Sequence, residues 1–439
     1  MRRTHVIAAL TLLQLSLCGV AASTSAVAAV PAGADRVTAL PTLGPVAQPQ
    51  FAGYASTSAV ACADLACTDR AGLFYWLVGR DADYATQPTI LWSNGGPGAS
   101  SFYGFLSENG PYTLDAAGTL SPYAHAWTSV ANYLVFDHPL GVGMSFPFRG
   151  RIAENLAQGT DQLAAAVGHV VRRDGLQRSP LYLAGESYGG TYMPLLAQRL
   201  LDTRSGVRVG GVAIVDGWVA PETQVGSSAD YAVQHGLIST AQKKPLDRLY
   251  ARCRAAMRGG AATRLRAGRI CQSIQDEIAK LSGRWLGNIA QSGDIDYTPL
   301  ETYLNRPDVR TAIHARAGGK YALGSDVIAK AYARDVMTDY TKVVADLLDR
   351  GVPVMVISGL NDGKDANFLG TRRWIERMRW KGRTRYRNAA TRQWKSPEGA
   401  VLGYRQSGGG LTVLEVLDAG HLAPRDQPRI AQALQAWFR

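Results

Sequence analysis

The feature that most constrains this chain is the pentapeptide GESYG at positions 185–189. It follows Leu181 to Ala184, a short apolar run that predicts a β-strand. A serine on the sharp turn between a strand and a helix is lifted out of the sheet, and the flanking glycines permit the close backbone approach that such a turn needs. The alternative is an ordinary tight turn, because short Gly/Ser patterns also occur by chance. We interpret Ser187 as a candidate nucleophile.

Two further loops carry the residue types that activate a serine. An apolar run at Val354 to Ser358 predicts a strand, and Asp362 follows it in an acidic loop. His421 lies in a second loop, directly after Gly420. The order serine, aspartate, histidine along the chain is that of α/β-hydrolases, and it differs from the orders found in chymotrypsin and subtilisin. We therefore expect Ser187, Asp362 and His421 to form a catalytic triad.

The rest of the chain predicts an α/β fold. Short apolar runs such as Thr89 to Ser93 and Tyr133 to Phe136 alternate with segments of helical spacing. This pattern indicates a mostly parallel central sheet with helices on both faces. The alternation stops between residues 221 and 334, a polar segment rich in Arg, Ala and Gln. We predict core segments at 50–220 and 335–439, and we interpret 221–334 as an inserted helical cap over the carboxyl ends of the strands. An unrelated surface excursion is the alternative.

The amino terminus has the features of an export signal. Residues 1–28 combine a basic start, an apolar run and the small-residue sequence AVA at 26–28. Residues 29–49 are rich in Ala, Pro and Gly, which predicts a flexible arm. The apolar run is short for a membrane span. We therefore expect a secreted or periplasmic protein without a membrane-spanning helix.

Cysteine usage agrees with export. Removal of the signal leaves Cys62, Cys67, Cys253 and Cys271, and an even number of cysteines in an oxidising compartment predicts disulfides. Proximity along the chain favours Cys62–Cys67 and Cys253–Cys271 among the three possible connectivities. Free thiols and a zinc site are the alternatives, and a zinc site lacks a histidine at ligand spacing.

Much of the net charge of +12 lies between Arg372 and Arg405, where basic residues are interleaved with Trp374, Trp380 and Trp394. Such a segment is a candidate nucleic-acid surface. However, no recognised nucleic-acid-binding module accompanies it, and a helix followed by a polar hairpin with solvated arginines accounts for the same residues. We expect no nucleic-acid partner and a non-specific attraction to anionic surfaces.

Five loops carry a further resemblance. They are WSNGGPGASS at 92–101, ENGP at 108–111, DHPLGVG at 137–143, GESYGG at 185–190 and GHLAPRDQP at 420–428. Each resembles a signature loop of the serine carboxypeptidase family, and five in the correct order are far more specific than one. The resemblance implies an exported α/β-hydrolase of bacterial type that removes single residues from peptide carboxyl termini. It implies no metal and no organic cofactor.

The resemblance also implies roles for individual residues. Ser187 attacks the acyl carbonyl, His421 takes its proton and passes it to the leaving amine, and an aspartate holds the imidazole tautomer. The developing oxyanion needs two aligned N–H donors. The elbow supplies the N–H of Tyr188, and the resemblance implies the N–H of Gly96 as the second donor.

By the same resemblance, Asn94, Glu108 and Glu186 form a site for the terminal carboxylate of the substrate. Two close carboxyl groups cannot both ionise without a large energetic cost, so they share a proton and can donate hydrogen bonds to an anion. A pair of ordinary solvated glutamates is the alternative, in particular for Glu108. We expect Tyr103 and Leu422 to line the substrate pockets, with core packing as the alternative for Tyr103.

The chain departs from the family pattern near two of these residues. Leu422 stands where methionine is usual beside the histidine, which affects the expected leaving-group pocket. The acidic loop is longer by one residue. The spacing of the family pattern, counted forward from Gly359, selects Asp362. The same pattern counted back from Asn367 does not select it. Asp365 therefore remains a rival for the triad.

Two other functions fit parts of the sequence. An esterase or acyltransferase could use the same scaffold, but an ester without a carboxylate has no use for Asn94, Glu108 and Glu186. A catalytically silent binding protein is the second alternative, and the intact loops around Ser187 and His421 argue against it. The sequence thus favours a serine-type carboxypeptidase whose substrates are peptides with a free carboxyl terminus.

Overall fold

A computed structural model of the chain describes residues 35–57, 72–146, 152–364 and 366–438. The predicted signal at 1–28, the predicted pair Cys62 and Cys67, and Asp365 lie outside these residues. Among the helices of the described ranges, none has both the length and the apolar character that crossing a membrane requires. Across the same ranges, no cluster of three or more His, Cys, Asp or Glu side chains is placed to hold a metal ion.

Strands and helices alternate along much of the chain. The strands are β1 (Ala39–Leu40), β2 (Gly44–Pro45), β3 (Gln50–Ser56), β4 (Gly72–Val78), β5 (Thr89–Ser93), β6 (Tyr112–Leu114), β7 (Leu120–Pro122), β8 (Asn132–Phe136), β9 (Leu181–Glu186), β10 (Val209–Val215), β11 (Val354–Gly359), β12 (Arg392–Lys395), β13 (Val401–Gly408) and β14 (Leu411–Val416). The helices are α1 (Phe102–Ser107), α2 (Leu156–Arg173), α3 (Gly189–Asp202), α4 (Pro221–Val225), α5 (Ser228–Gln234), α6 (Thr240–Arg258), α7 (Ala261–Ser282), α8 (Thr298–Asn305), α9 (Pro307–Ala312), α10 (Asp326–Tyr332), α11 (Thr341–Asp349), α12 (Phe368–Arg377), α13 (Arg383–Arg387), α14 (Ala423–Asp426) and α15 (Ile430–Trp437). Helices follow β5, β8 and β9, as an α/β pattern requires.

Within the described residues, ten strands form one mixed sheet in the order β12-β13-β14-β11-β10-β9-β5-β8-β4-β3. The six central strands, from β14 to β8, pair in parallel. The strands at both edges pair antiparallel. The predicted mostly parallel sheet is confirmed. Since parallel neighbours end at one edge, the loops after β5, β9, β10, β11 and β14 meet there.

Side chains from the two faces of the sheet enter separate cores. On β4, Leu73, Tyr75 and Leu77 belong to one core. The alternate residues Phe74 and Trp76 belong to the other. A strand buried on both faces has a continuous apolar sequence rather than an alternating one, which explains the apolar runs of the central strands. Each large apolar side chain buried in this way contributes about 1.5–3 kcal/mol.

The chain between β10 and β11 is helical, and α4 to α10 fall within the predicted cap at 221–334. α6 begins with a capping box, in which the side chains of Ser239 and Gln242 each bond the backbone N–H of the other. A disulfide joins Cys253 of α6 to Cys271 of α7, which confirms one of the two predicted pairs. The predicted domain boundaries stay a prediction.

The flexible arm predicted at 29–49 is wrong for its described part, residues 35–49. β1 and β2 pair with each other in this segment, and Val37 N donates to Gln50 O at 3.0 Å. The side chains of Val37 and Leu40 are buried in the core. A composition rich in Ala, Pro and Gly indicates weak local structure, but two apolar side chains and a few backbone bonds are enough to dock the segment.

Candidate active site

Ser187 lies on the turn between β9 and α3. Its φ is +57°, in the left-handed region that a non-glycine residue rarely adopts, and its N–H donates to Val215 O of β10 at 3.0 Å. A Cβ at Gly185 would come within 2.2 Å of Gly189 O, and a Cβ at Gly189 would come within 2.5 Å of Ser93 O. Close backbone contacts therefore require both glycines of the pentapeptide, and the turn has the geometry of a nucleophile elbow.

The loop after β5 packs against the backbone of this elbow. A Cβ at Gly95 would lie 2.3 Å from Tyr188 N, and Gly96 has a φ of +107°. Within the described part of the chain, neither Gly96 N–H nor Tyr188 N–H donates a hydrogen bond. The inserted segment holds the far side of the loop, because Ser100 N donates to Leu323 O at 2.8 Å. Both candidate oxyanion donors are therefore free beside the elbow.

His421 and Asp362 form a buried hydrogen bond at the same edge of the sheet. His421 Nδ1 lies 2.9 Å from Asp362 Oδ2, and both residues are buried. The second carboxylate oxygen of Asp362 accepts from Lys364 N at 2.8 Å. His421 N donates to Gly287 O of the inserted segment. The structure thus places Asp362 against the imidazole, whereas its rival Asp365 lies outside the described residues.

Neighbouring strands bring the three triad candidates together. Ser187 follows β9, Asp362 follows β11 and His421 follows β14, and these strands lie in the order β14-β11-β10-β9. Ser187 is partly exposed, unlike the other two residues. Its hydroxyl makes no hydrogen bond to any residue that the structure describes. The partly exposed serine and the buried imidazole–carboxylate pair therefore follow strands that end at the same edge of the sheet, where a general base could activate a nucleophile.

Asn94 connects the two glutamates of the candidate carboxylate site. Its Nδ2 donates to Glu108 Oε1 at 2.9 Å and to Glu186 Oε1 at 3.1 Å. Its Oδ1 accepts from Trp92 Nε1 and from Gly104 N, each at 2.9 Å, which fixes the orientation of the amide. All three side chains of the site are buried. The alternative of ordinary solvated glutamates is therefore wrong.

Burial and proximity raise the pKa values of both glutamates. Burial raises the pKa of Glu108. Burial, followed by the charge of Glu108, raises the pKa of Glu186 well above its usual range. The Oε2 atom of each is buried and has no hydrogen-bond partner among the described residues. A raised pKa favours the protonated form of a carboxyl group, and a protonated carboxyl group can donate a hydrogen bond.

Tyr103 and Leu422 are both buried. Tyr103 OH lies 2.6 Å from Tyr297 OH, and the two rings meet edge to face with centroids 4.7 Å apart. Burial is the main cause that raises the pKa of Tyr103, and the charges of Glu108 and Glu186 add to it, so this tyrosine lies near the carboxylate site. Tyr297 belongs to the inserted segment. The sequence analysis missed it, because it is 194 residues away in a polar stretch without a motif.

Asp216 is a further buried acid that the sequence analysis did not assign. It directly follows β10, and its Oδ1 accepts from Gly359 N at 2.7 Å, at the start of the loop that carries Asp362. Its Oδ2 is buried and lacks a partner among the described residues. Burial, and then the charge of Asp362, raise the pKa of Asp216 well above its usual range. The available signal was its position at the end of a predicted strand.

The parallel sheet and the elbow define the class of this protein, an α/β-hydrolase with a serine nucleophile. The sequence profile of the family described as serine carboxypeptidase matches residues 41–439. The chain therefore belongs to the serine carboxypeptidase family of hydrolases, and the resemblance noted in its five loops is confirmed.

Relatives with this name cover most of the chain. It is 29% identical to "Serine carboxypeptidase-like 47" of Arabidopsis thaliana, over 89% of this chain and 78% of that protein. It is 30% identical to "Venom serine carboxypeptidase" of Apis mellifera, over 83% of this chain and 80% of the relative. The crystal structure of a prohormone-processing carboxypeptidase from Saccharomyces cerevisiae superposes with a TM-score of 0.77 at 19% identity, over 89% of this chain and 91% of the other. This likeness confirms the α/β-hydrolase fold.

Proposed function

We propose that this protein releases single residues from the carboxyl termini of peptides through an acyl-enzyme on Ser187. The observation that carries the proposal is the buried cluster of Asn94 with Glu108 and Glu186. Since Glu186 immediately precedes Ser187, a carboxylate bound at this cluster lies next to the nucleophile. Such a substrate presents its last peptide bond to the serine, whereas an internal peptide segment has no carboxylate to bind there.

The chemistry follows from the positions of the side chains. His421 accepts the proton of Ser187 Oγ as this oxygen attacks the scissile carbonyl carbon, and Asp362 at Nδ1 holds the tautomer whose Nε2 is free to accept. The N–H groups of Gly96 and Tyr188 donate to the oxyanion. When the C–N bond breaks, His421 gives its proton to the leaving amine. Water then attacks the acyl-enzyme with the same imidazole as base.

The same carboxylate site makes acidic pH favourable for this reaction. While the glutamate pair keeps its shared proton, it donates to the substrate carboxylate. As the pH rises through the raised pKa of the pair, the proton leaves and two negative charges face a third. A general base must be unprotonated to accept the proton of the nucleophile, so the pH profile is a compromise between the two requirements.

We also propose that the protein acts outside the cytoplasm, as a secreted or periplasmic enzyme. The signal features of residues 1–28 support this location, and so does the Cys253–Cys271 disulfide, because disulfides persist in oxidising compartments. Amino-terminal sequencing of the exported protein tests it. We expect a mature chain that begins near residue 29.

The experiment that tests the reaction is mass spectrometry of a peptide library after incubation with the enzyme. We expect ladders that shorten by one residue from the carboxyl terminus, and no such products from Ser187→Ala, because loss of a nucleophile lowers kcat on the order of 10⁶-fold. Amidated copies of the same peptides are the matched substrates. Equal cleavage of acids and amides would move the esterase or acyltransferase alternative to first place.

A further inference from the structure

The basic segment from Arg372 to Arg405 borders a cleft that none of the proposed catalytic residues lines. The cleft lies between α12, α13, β13 and β14 and has a volume of about 680 Å³, within the range of roughly 300–1,000 Å³ of small-molecule sites. The segment contains eleven Lys or Arg residues and two Glu residues, a formal charge of +9 against +12 for the whole chain. Four of these arginines line the cleft together with Glu376 and Glu415, so the lining itself carries a formal charge of +2.

Acidic side chains neutralise part of this charge. The arginines that line the cleft are Arg372, Arg377, Arg383 and Arg387. Arg372 forms a two-point ion pair with Glu415, with both bonds at 2.5 Å. Arg383 donates from Nη2 to Glu376 O at 2.7 Å, but its buried Nε has no acceptor among the described residues. Arg387 is exposed, and its side chain has no hydrogen bond or ion pair to any described residue.

The side chains of Arg383 and Arg387 favour ligands with negatively charged oxygens. Nη1 of Arg383 has no acceptor among the described residues and, unlike Nε, is not a buried atom, so it can donate to an acceptor that enters the cleft. The guanidinium group presents a planar fork of donors that matches phosphate and carboxylate oxygens. A phosphate group offers oxygens in several directions, so it can accept from guanidinium groups that approach from different sides. Two or more linked phosphates match the number of arginines without a carboxylate partner.

We propose that the cleft between α12, α13, β13 and β14 binds a small anion with two or more phosphate groups, and that Arg383 and Arg387 are its principal ligands. Arg377, which donates to Thr223 Oγ1 at 3.2 Å, adds a third positive charge. The site is separate from the carboxylate cluster and does not depend on the proposed reaction.

The test is calorimetric titration with tripolyphosphate at an ionic strength of about 0.15 M, where diffuse surface attraction is screened beyond roughly 8 Å. We expect saturable binding at one site. The double variant Arg383→Gln with Arg387→Gln should weaken it about tenfold or more, because each charge-assisted hydrogen bond is worth roughly 1.5–3 kcal/mol. The matched control is Arg379→Gln with Arg385→Gln, which removes the same charge from exposed positions outside the cleft lining. It should keep nearly full affinity.

Three results would overturn the proposal: no saturable binding, equal losses in the two double variants, or equal affinity for citrate, a tricarboxylate. The single variant Arg387→Gln guards against misfolding, since this residue makes no contact that the fold needs, and it should also weaken binding. Tripolyphosphate should raise the melting temperature of the wild type and of the control, but much less that of the cleft variant.

Discussion

Two pairs of buried acids lie at the carboxyl edge of the sheet: Glu108 with Glu186, and Asp362 with Asp216. In the glutamate pair, both residues bond one shared amide, and each keeps one oxygen without a partner. In the aspartate pair, the bonding is unequal. Both oxygens of Asp362 accept hydrogen bonds, whereas Asp216 bonds through one oxygen. Both pairs consist of buried carboxyl groups, and they differ in the hydrogen-bond donors around them.

This difference shows where a buried negative charge is stable. Hydrogen bonds to a carboxylate favour its charged form, while burial without them favours the protonated form. Two donors surround Asp362, one of them the imidazole of His421. Burial raises the pKa of Asp216 and of both glutamates, which have fewer donors. The aspartate pair borders the imidazole of His421, whereas the glutamate pair is proposed to face the carboxylate of a substrate.

The largest effect is expected in the aspartate pair, at the member that contacts His421. Asp362→Asn should lower kcat on the order of 10⁴-fold, because an amide at this position favours the wrong imidazole tautomer. Asp365→Asn is the control and should remain near the wild type in steady-state assays on a free-acid peptide. A crippled Asp365→Asn together with an active Asp362→Asn would assign the triad role to the rival.

A smaller effect on kcat/KM is expected when both glutamates are replaced by residues that do not titrate. In the wild type, kcat/KM for free-acid peptides should fall as the pH rises through the raised pKa of the pair, and matched amides should lack this decline. The double variant Glu108→Gln with Glu186→Gln cannot titrate. It should flatten the decline and reduce the preference for the free acid about tenfold, equal to about 1.4 kcal/mol. Parallel profiles for acid and amide in the wild type would contradict a carboxylate-binding role.

The smallest effect on activity is expected at Asp216, where Asn keeps the acceptor for Gly359 N and is neutral at every pH. The folded-state pKa of Asp216 is raised. Between the unfolded pKa, about 3.9, and the folded value, the folded state holds a proton that the unfolded chain has lost, so wild-type stability falls with rising pH. Asp216→Asn should therefore leave kcat nearly unchanged. The free energy of unfolding of Asp216→Asn, measured with urea, should exceed that of the wild type. This difference should grow from pH 4 to pH 7 by up to about 1.4 kcal/mol per pH unit. A variant that is less stable than the wild type at pH 7 would mean that Asp216 is ionised.

Much of the fold and part of the site could be predicted because the signals are local. The elbow at Ser187 needs glycines on both sides, and the central strands need continuous apolar runs, so both are visible in a few residues. The Cys253–Cys271 pair was predictable from proximity alone. Composition alone gave the wrong prediction at residues 35–49, because the side chains of Val37 and Leu40 are buried in the core.

The sequence by itself therefore determined the class of the fold and the family, and it selected the candidates Ser187 and His421 for the site. The tertiary structure decided which donors surround each acid. Asp362 is held by His421 and by a backbone N–H two residues away, and Asp216 reaches across from the neighbouring strand to Gly359. The bonds from His421 and Gly359 join segments far apart in the chain. They form because β14 and β10 each lie beside β11, and no short sequence pattern records that neighbourhood.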